Sequence, residues 1–228
     1  MSALYPGTAA AARANRDFLA RAVRFLAGEA GLSQFLDIGT GIPAPGSTHE
    51  VAQEVRPESR IVYVDHDPVV LSHARAFLVG REPGTTDYIN ADLREPGFIL
   101  DQAARTLDFS RPVGVLLLAI LHAIPDGDDP YRIMATLTDA LPSGSYLAIT
   151  QWAKDPGKAE AEAKLVELTR GTSRQQYTAR SKDEIARFFD GLHILEPGVV
   201  PLRDWRPGSH DSSVGDIMPW LGGMGRKP

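Results

Sequence analysis

The stretch QFLDIGTGIP, residues 34–43, decides the fold. Its apolar opening reads as a short buried strand. That strand, QFLDI (34–38), carries Asp37 near its end and runs into Gly39-Thr40-Gly41, where glycines let the backbone approach a ligand closely. Upstream, residues 12–30 place Phe18, Leu19, Ala22, Val23 and Leu26 at three- and four-residue spacings, the pattern of an amphipathic helix closed at Gly31. Downstream, after a Pro-rich turn, Ser47 and Glu50 form a capping-box pattern that opens a helix to about Val55.

The same alternation then repeats. RIVYVD (60–65) is a β-branched strand, and Asp67-Pro68 supply the N-cap and first-turn proline of a helix over 69–78. DYINAD (87–92) is a third strand, and Pro96 starts a helix towards Arg105. PVGVLLLAIL (112–121) is apolar throughout, as a central parallel strand covered on both faces must be. Asp129-Pro130 open a helix to Leu141, and SGSYLAITQW (143–152) is a fifth strand. Repeated strand–helix units predict an α/β fold with a mostly parallel sheet and helices on both faces.

Past Trp152 the pattern changes. A charged helix is expected over 155–170, its charges forming a solvated face. A second capping box, Ser181 with Glu184, opens IARFFDGL. ILEPGVVPLRDW reads as a strand interrupted at Pro197-Gly198, and a last strand is expected around Asp216 to Leu221. No internal repeat or clear linker divides the chain.

Composition limits the function classes. The 228 residues include 21 Gly and 17 Pro, below the roughly 25–30% of low-complexity chains, so a packed core is expected. A net charge of −5 without a dense Lys/Arg run argues against a nucleic-acid partner. Cysteine is absent, which excludes thiolate metal sites, disulfides and cysteine nucleophiles and fits a cytoplasmic location. The start MSALYPGTAAAARANRDF lacks the pattern of a secretory signal, and the apolar run Val113 to Ile124 falls short of the roughly 20 residues that span a bilayer. No membrane partner is therefore expected.

In a parallel sheet, ligands bind at the carboxyl ends of the strands. Asp65 ends the second strand where a carboxylate can accept both hydroxyls of a ribose. Asp92-Leu93 follow the third, suited to reading an adenine edge through the acid and a backbone N–H. With the glycine turn beside a polar tail, the three strand ends together would read an adenosine. Gly39 to Ala44 also satisfies G-x-G-x-x-G/A, so a nicotinamide-dependent oxidoreductase is an alternative. Pro43 and Pro45 interrupt that motif, however, and defer the helix to Ser47.

These residues resemble the class I S-adenosylmethionine-dependent methyltransferases: FLDIGTGIP looks like their first motif, VYVDHDP their second and NADLRE their third. The chain is more similar still to one bacterial S-adenosyl methyltransferase family of unassigned substrate. VYVDHDPVVLSHARAFL, LDFSRPVGVLLLAILHAIPDGDDPY, EIARFFDGLHILEPGVVPLRDWRP and the ending GGMGRKP all look like it. The resemblance implies a Rossmann-like, mostly parallel seven-stranded sheet in one domain over 1–228. Its parts would be an N-terminal helix in 1–31, a cofactor-binding core in 32–152 and completion of the sheet with substrate-side elements in 153–228.

The resemblance further implies S-adenosyl-L-methionine as cofactor and a small-molecule methyl acceptor. Asp37, Gly39, Thr40 and Gly41 would line its methionine end, Asp65 the ribose, His66 the adenine face, and Asp92 with Leu93 the adenine edge. Ala119 to His122 would form the floor near the methyl group. The family carries several dozen further residues, with a Gly- and Asn-rich segment, ahead of the first helix. Only MSALYPGTAAA stands there in this chain, so a short substrate-side cover is expected. Hence a binding or regulatory protein that keeps the pocket without methyl transfer is a second reading.

Individual residues keep plainer alternatives. His122 is either a base or orienter facing the pocket, or a histidine bonded to a loop carbonyl. His49 either touches the methionine carboxylate or lies on the surface; Arg16 either pairs with that carboxylate or is solvated. Asp67 already fills the capping role, which leaves Asp65 for a ligand. Phe18, Phe25, Phe188 and Phe189 sit at core spacings, whereas Tyr177 and Trp205 fall in late segments placed to cover a pocket. The scattered His49, His66, His73 and His122 form no metal-ligand motif, and nothing in the sequence sets the oligomeric state.

Overall fold

Apolar side chains on both faces of the central strands organise the molecule. The structure is a computed structural model and describes residues 8–42, 45–77, 82–155, 157, 177–208 and 219–228. Helix α1 spans Thr8–Arg24, and Phe25–Glu29 continue it as a π-helical turn that ends at left-handed Gly31. Strand β1 (Gln34–Ile38) is followed by α2 (Thr48–Val55), β2 (Arg60–Asp65), α3 (Pro68–Phe77), β3 (Thr85–Asn90) and α4 (Pro96–Ala103). Then come β4 (Gly114–Leu118), α5 (Pro130–Asp139) and β5 (Tyr146–Trp152). They are followed by α6 (Lys182–Ala186), β6 (His193–Ile194), β7 (Val200–Pro201) and β8 (Trp220–Arg226).

The sheet order is β3-β2-β1-β4-β5-β8-β6, with β1 to β5 parallel and β8 antiparallel. β6 and β7 both pair with β8, at its Arg226 end and its Leu221 end respectively. They are the two halves of one edge strand broken at Pro197-Gly198, so the eight strands fill seven positions. Phe35, Ile61, Tyr63, Leu116, Leu118 and Ala148 pack on one face with Phe18 and Leu26 of the N-terminal helical segment. Leu36, Ile38, Val62, Val64, Leu117 and Ile149 pack on the other with Ile99 of α4 and Ile133 and Leu137 of α5. That alternation is the period-2 signature of strands buried on both sides.

Several boundaries differ from the sequence reading. β3 starts at Thr85 and ends at Asn90, because Thr85 and Thr86 complete its register with Arg60 and Ile61; Asp92 therefore lies in the loop beyond. β4 stops at Leu118, where Ala119 turns left-handed at φ 59°, and β5 begins only after left-handed Gly144. β8 runs over Trp220–Arg226 and not around 216–221. Its glycines hid it: a Cβ on Gly222 would sit 2.7 Å from Leu202, and one on Gly225 2.9 Å from Phe189. The expected charged helix over 155–170 lies, apart from Asp155 and Gly157, outside the described residues. Both capping boxes form, at α2 and α6. Among the described residues no helix is long and apolar enough to cross a membrane.

Candidate functional site

The order of the strands reverses between β1 and β4, and a cleft opens at that switch point. Asn15 and Arg16 of α1, Asp37, Gly39, Thr40, Thr48 and Leu118 line it. The Gly39 N–H donates to the Val64 carbonyl at 2.8 Å, which folds the loop back over β2. Gly39 has φ 81°, and a Cβ there would come 2.8 Å from Ile120. Gly39→Ala is thus expected to destabilise the fold by about 2–3 kcal/mol through left-handed strain and this collision, lowering Tm by roughly 5–10 °C in a thermal melt. A change under 1 °C would refute the close packing. At Gly41, with φ 65°, a Cβ would meet no atom of the described residues within 4 Å.

Two carboxylates end neighbouring strands on the face carrying α1 and α2. Asp37 is buried and accepts a 2.6 Å hydrogen bond from the Thr48 hydroxyl. Burial pushes its pKa up to about 6, the Thr48 bond opposes the shift, and the nearby Asp65 charge adds to it. Asp65 accepts from the Gly41 N–H at 2.9 Å through one oxygen and from the Asp67 N–H at 3.0 Å through the other. It therefore holds the glycine loop against the start of α3. His66 lies 3.6 Å from the same carboxylate and is half exposed. Asp67 caps α3 by accepting from Val69 N–H at 2.8 Å, as the sequence predicts.

Asp92 is not at a strand end but is fixed within its loop. It accepts from the Arg94 N–H at 2.9 Å and the Arg94 guanidinium at 3.0 Å; that guanidinium also donates to Asp128 at 2.6 Å. The clasp ties the loop after β3 to the loop after β4. The Leu93 side chain is buried in the core, leaving only its backbone for a ligand. Ala119 N–H donates to Thr150 Oγ1 at 2.8 Å, and that hydroxyl donates to Asn15 at 2.6 Å. A strained non-glycine residue at such a turn is a feature of functional sites. Sequence reading missed Asn15. The signal was its spacing with buried Phe18 and Ala22, which puts a polar residue on the inward face of α1.

Arg16 lines the cleft and donates to the Pro45 carbonyl at 3.1 Å. His49 is neither on the surface nor turned to the cleft. It is buried, with Nδ1 at 2.9 Å from the Tyr63 hydroxyl and 3.1 Å from Ser47 Oγ, and it braces the first turn of α2. Trp205 does not cover the pocket either: it packs at 5.0 Å on Phe18 beneath α1. Phe188 and Phe189 are buried core residues, as their spacing implied. α2 begins only at Thr48, beyond the glycine motif, whereas a dinucleotide fingerprint opens its helix inside that motif.

His122 stands in the turn Leu121–Ala123 after β4, between the rings of Tyr177 and Trp220. Its Nδ1 is buried without a hydrogen-bond partner, so that atom makes no bond to a loop carbonyl, one of the two alternatives for this residue. Burial, aided by the Arg180 cation, lowers its pKa to about 4, which keeps the ring neutral. Arg180 itself is buried and donates to the Leu121 and Ile124 carbonyls at 2.8 and 2.7 Å, bracing the turn.

This strand order, with acids and a glycine turn at the carboxyl ends, defines a class I methyltransferase fold. The mitomycin 7-O-methyltransferase MmcR shares the fold, with TM-score 0.60 and 21% identity over 94% of this chain and 53% of its own. The chain belongs to the S-adenosyl methyltransferase family, whose model matches residues 1–228. It is similar to a DUF574 family protein from Streptomyces avermitilis MA-4680, with 39% identity, TM-score 0.93, and coverage of 100% of this chain and 88% of the other. It is also similar to a protein from Thermobifida fusca YX assigned to the methyltransferases, with 42% identity, TM-score 0.87, and coverage of 99% and 85%. No curated protein matches the chain.

Proposed function

We propose that this protein, working as one domain in the cytoplasm, transfers a methyl group from S-adenosylmethionine to a small-molecule acceptor by in-line displacement. The observation that carries this reading is the pairing of Asp37 and Asp65 across a glycine loop whose Gly41 has no atom of the described residues within 4 Å of where a Cβ would stand. The residues present fit the cofactor. Asp65 retains lone pairs for the two ribose hydroxyls, and His66 stands beside it for the adenine. Asp92, oriented by Arg94, takes the exocyclic amine, while the Leu93 backbone meets the ring edge. Asp37, Gly39, Thr40 and Arg16 receive the methionine end, with Asp37 opposite its ammonium and Arg16 opposite its carboxylate.

Bound there, S-adenosylmethionine supplies a methyl group activated by its sulfonium. The chain's own part is to align an acceptor and keep water out. Ala119, held by Thr150 and Asn15, forms the floor. His122 is neutral above pH about 4 and is therefore a hydrogen-bonding orienter and only a weak base.

Calorimetry with S-adenosylhomocysteine tests the reading. One-to-one binding is expected, and the absence of any binding by either S-adenosylhomocysteine or S-adenosylmethionine would overturn it.

A further inference from the structure

The amino ends of β1, β4 and β5 and the last residue of β8 surround a second cleft, at the opposite end of the sheet from the glycine turn. Arg111 and Pro112 reach it just ahead of β4, Gly144 and Tyr146 at the start of β5, Ser33 ahead of β1, and Arg226 from the end of β8. Tyr146 and Arg226 are register partners on neighbouring antiparallel strands, so their side chains leave the same face of the sheet. A Cβ on left-handed Gly144 would lie 3.4 Å from the Pro112 ring and 3.9 Å from the Arg226 guanidinium. The approach to β4 and the end of β8 therefore meet at one point. The run from Pro112 to Ala119 separates this cleft from the cofactor cleft by roughly 20 Å, at about 3.3 Å per strand residue.

Two arginines and no acid line this cleft. In a chain of net charge −5, that concentration of positive charge runs against the overall balance. Neighbouring cations at this end of the sheet are engaged by the protein itself. Lys227 donates to the Thr138 carbonyl at 2.6 Å and Arg60 to the Thr106 carbonyl at 3.3 Å. Arg56 donates to the Ala27 carbonyl at 2.7 Å and pairs with Glu58 at 3.6 Å. Among the described residues, neither the Arg111 nor the Arg226 guanidinium has a hydrogen-bond acceptor or an ion-pair partner. Asp108 feels the Arg111 charge, but its carboxylate accepts from the Ser110 N–H at 2.9 Å and hydroxyl at 2.6 Å and does not line the cleft.

We propose that this cleft binds a small phosphate-class dianion, either orthophosphate or the terminal phosphate of a small molecule, between Arg111 and Arg226. The site is separate from the methyl-transfer reading and does not depend on it. Each guanidinium presents a planar fork of N–H donors that suits two oxygens of one anion. A carboxylate is filled by one such fork. A phosphate has oxygens left over, so it can meet two forks that arrive from different strands. The Ser33 and Tyr146 hydroxyls on the same lining are further donors. Both arginines are exposed, so the anion enters from solvent without a rearrangement of the fold. The negative balance of the rest of the chain disfavours a long polyanion and leaves a small one.

Calorimetry in a phosphate-free, low-salt buffer tests the site with orthophosphate, glycerol 2-phosphate and acetate as probes. Saturable one-to-one binding is expected for orthophosphate and not for acetate. Glycerol 2-phosphate bound about as tightly as orthophosphate supports a phosphorylated molecule as the ligand, and weaker binding supports the free ion. Arg111→Gln and Arg226→Gln are each expected to weaken the anion about tenfold or more, because each removes charge-assisted hydrogen bonds. Arg132→Gln removes the same charge from the exposed face of α5 and is the control, expected to change affinity less than about twofold. All three residues are exposed, so each variant is expected to keep the wild-type Tm. No saturable binding of orthophosphate, acetate bound as tightly, or an equal loss in Arg132→Gln would overturn the proposal. The titration uses no S-adenosylhomocysteine, so its failure and failure of the methyl-transfer reading are read separately.

Discussion

Asp65→Ala is expected to weaken S-adenosylhomocysteine binding at least about 100-fold, the equivalent of roughly 2.7 kcal/mol. Two contributions lead there. Hydrogen bonds to a charged group contribute about 1.5–3 kcal/mol each, and the proposed ribose contact has two of them. The carboxylate also accepts from Gly41 N–H at 2.9 Å and Asp67 N–H at 3.0 Å, so its loss frees the loop that must lie close to the cofactor. Asp67→Ala is the control: it removes a cap on Val69 N–H, costing about 1 kcal/mol of stability, and is expected to change affinity less than twofold. A 2′,3′-dideoxyribose analogue of S-adenosylhomocysteine separates the two contributions. It should bind wild type more weakly than the parent, and its further loss in Asp65→Ala then measures the loop contribution alone. Calorimetry showing unchanged affinity in Asp65→Ala would remove the ribose role.

What the sequence made legible, and what it hid, follows from where local physics decides. β1 falls on residues 34–38 as read, because a short, largely apolar run between a helix stop and a glycine turn has one interpretation. Both capping boxes were readable for the same local reason. β3 was misplaced by two residues because Thr85 and Thr86 join the sheet only through pairing with β2, a long-range fact. β8 was obscured because Gly222 and Gly225 are required by packing against Leu202 and Phe189, not by any propensity for strand.

The site divides in the same way. Asp37, Asp65 and the glycines follow strand ends and could be located from pattern alone. His49 could not: its burial depends on Tyr63, two strands' width of chain away in sequence but directly beneath α2 in space. Arg94 was equally invisible as the orienter of Asp92, because its second partner, Asp128, belongs to the loop after β4. The contact of the His122 ring with Trp220 exists only once β4 and β8 have been brought to the same end of the sheet.

Asp37→Asn is expected to stabilise the cofactor-free protein at neutral pH while weakening its hold on S-adenosylmethionine. The folded protein keeps this carboxyl near pKa 6, against 3.8 for an unperturbed aspartate, because burial disfavours its charge. A raised folded-state pKa means that the favourable contribution is fully present below about pH 3.8 and is lost as pH rises through about 6. Above that window the buried charge costs about 3 kcal/mol, from a shift of roughly two units at 1.36 kcal/mol each. Asparagine keeps an acceptor for the Thr48 hydroxyl but carries no charge, so it removes most of this cost and gives up some strength in the Thr48 bond. The expected gain in urea denaturation is about 1–3 kcal/mol at pH 7.5 and close to zero at pH 4. Binding should move the opposite way. In wild type the carboxylate must be charged to meet an ammonium group, so affinity should fall about tenfold per pH unit below 6 and level off above it. In Asp37→Asn it should be weaker at pH 7.5 and nearly flat across that range. The stabilised variant would thus be the poorer binder, which is the trade expected where a site holds an unfavourable charge in readiness for its ligand. An equal stability difference at pH 4 and pH 7.5 would contradict the buried-charge account, whatever happened to binding.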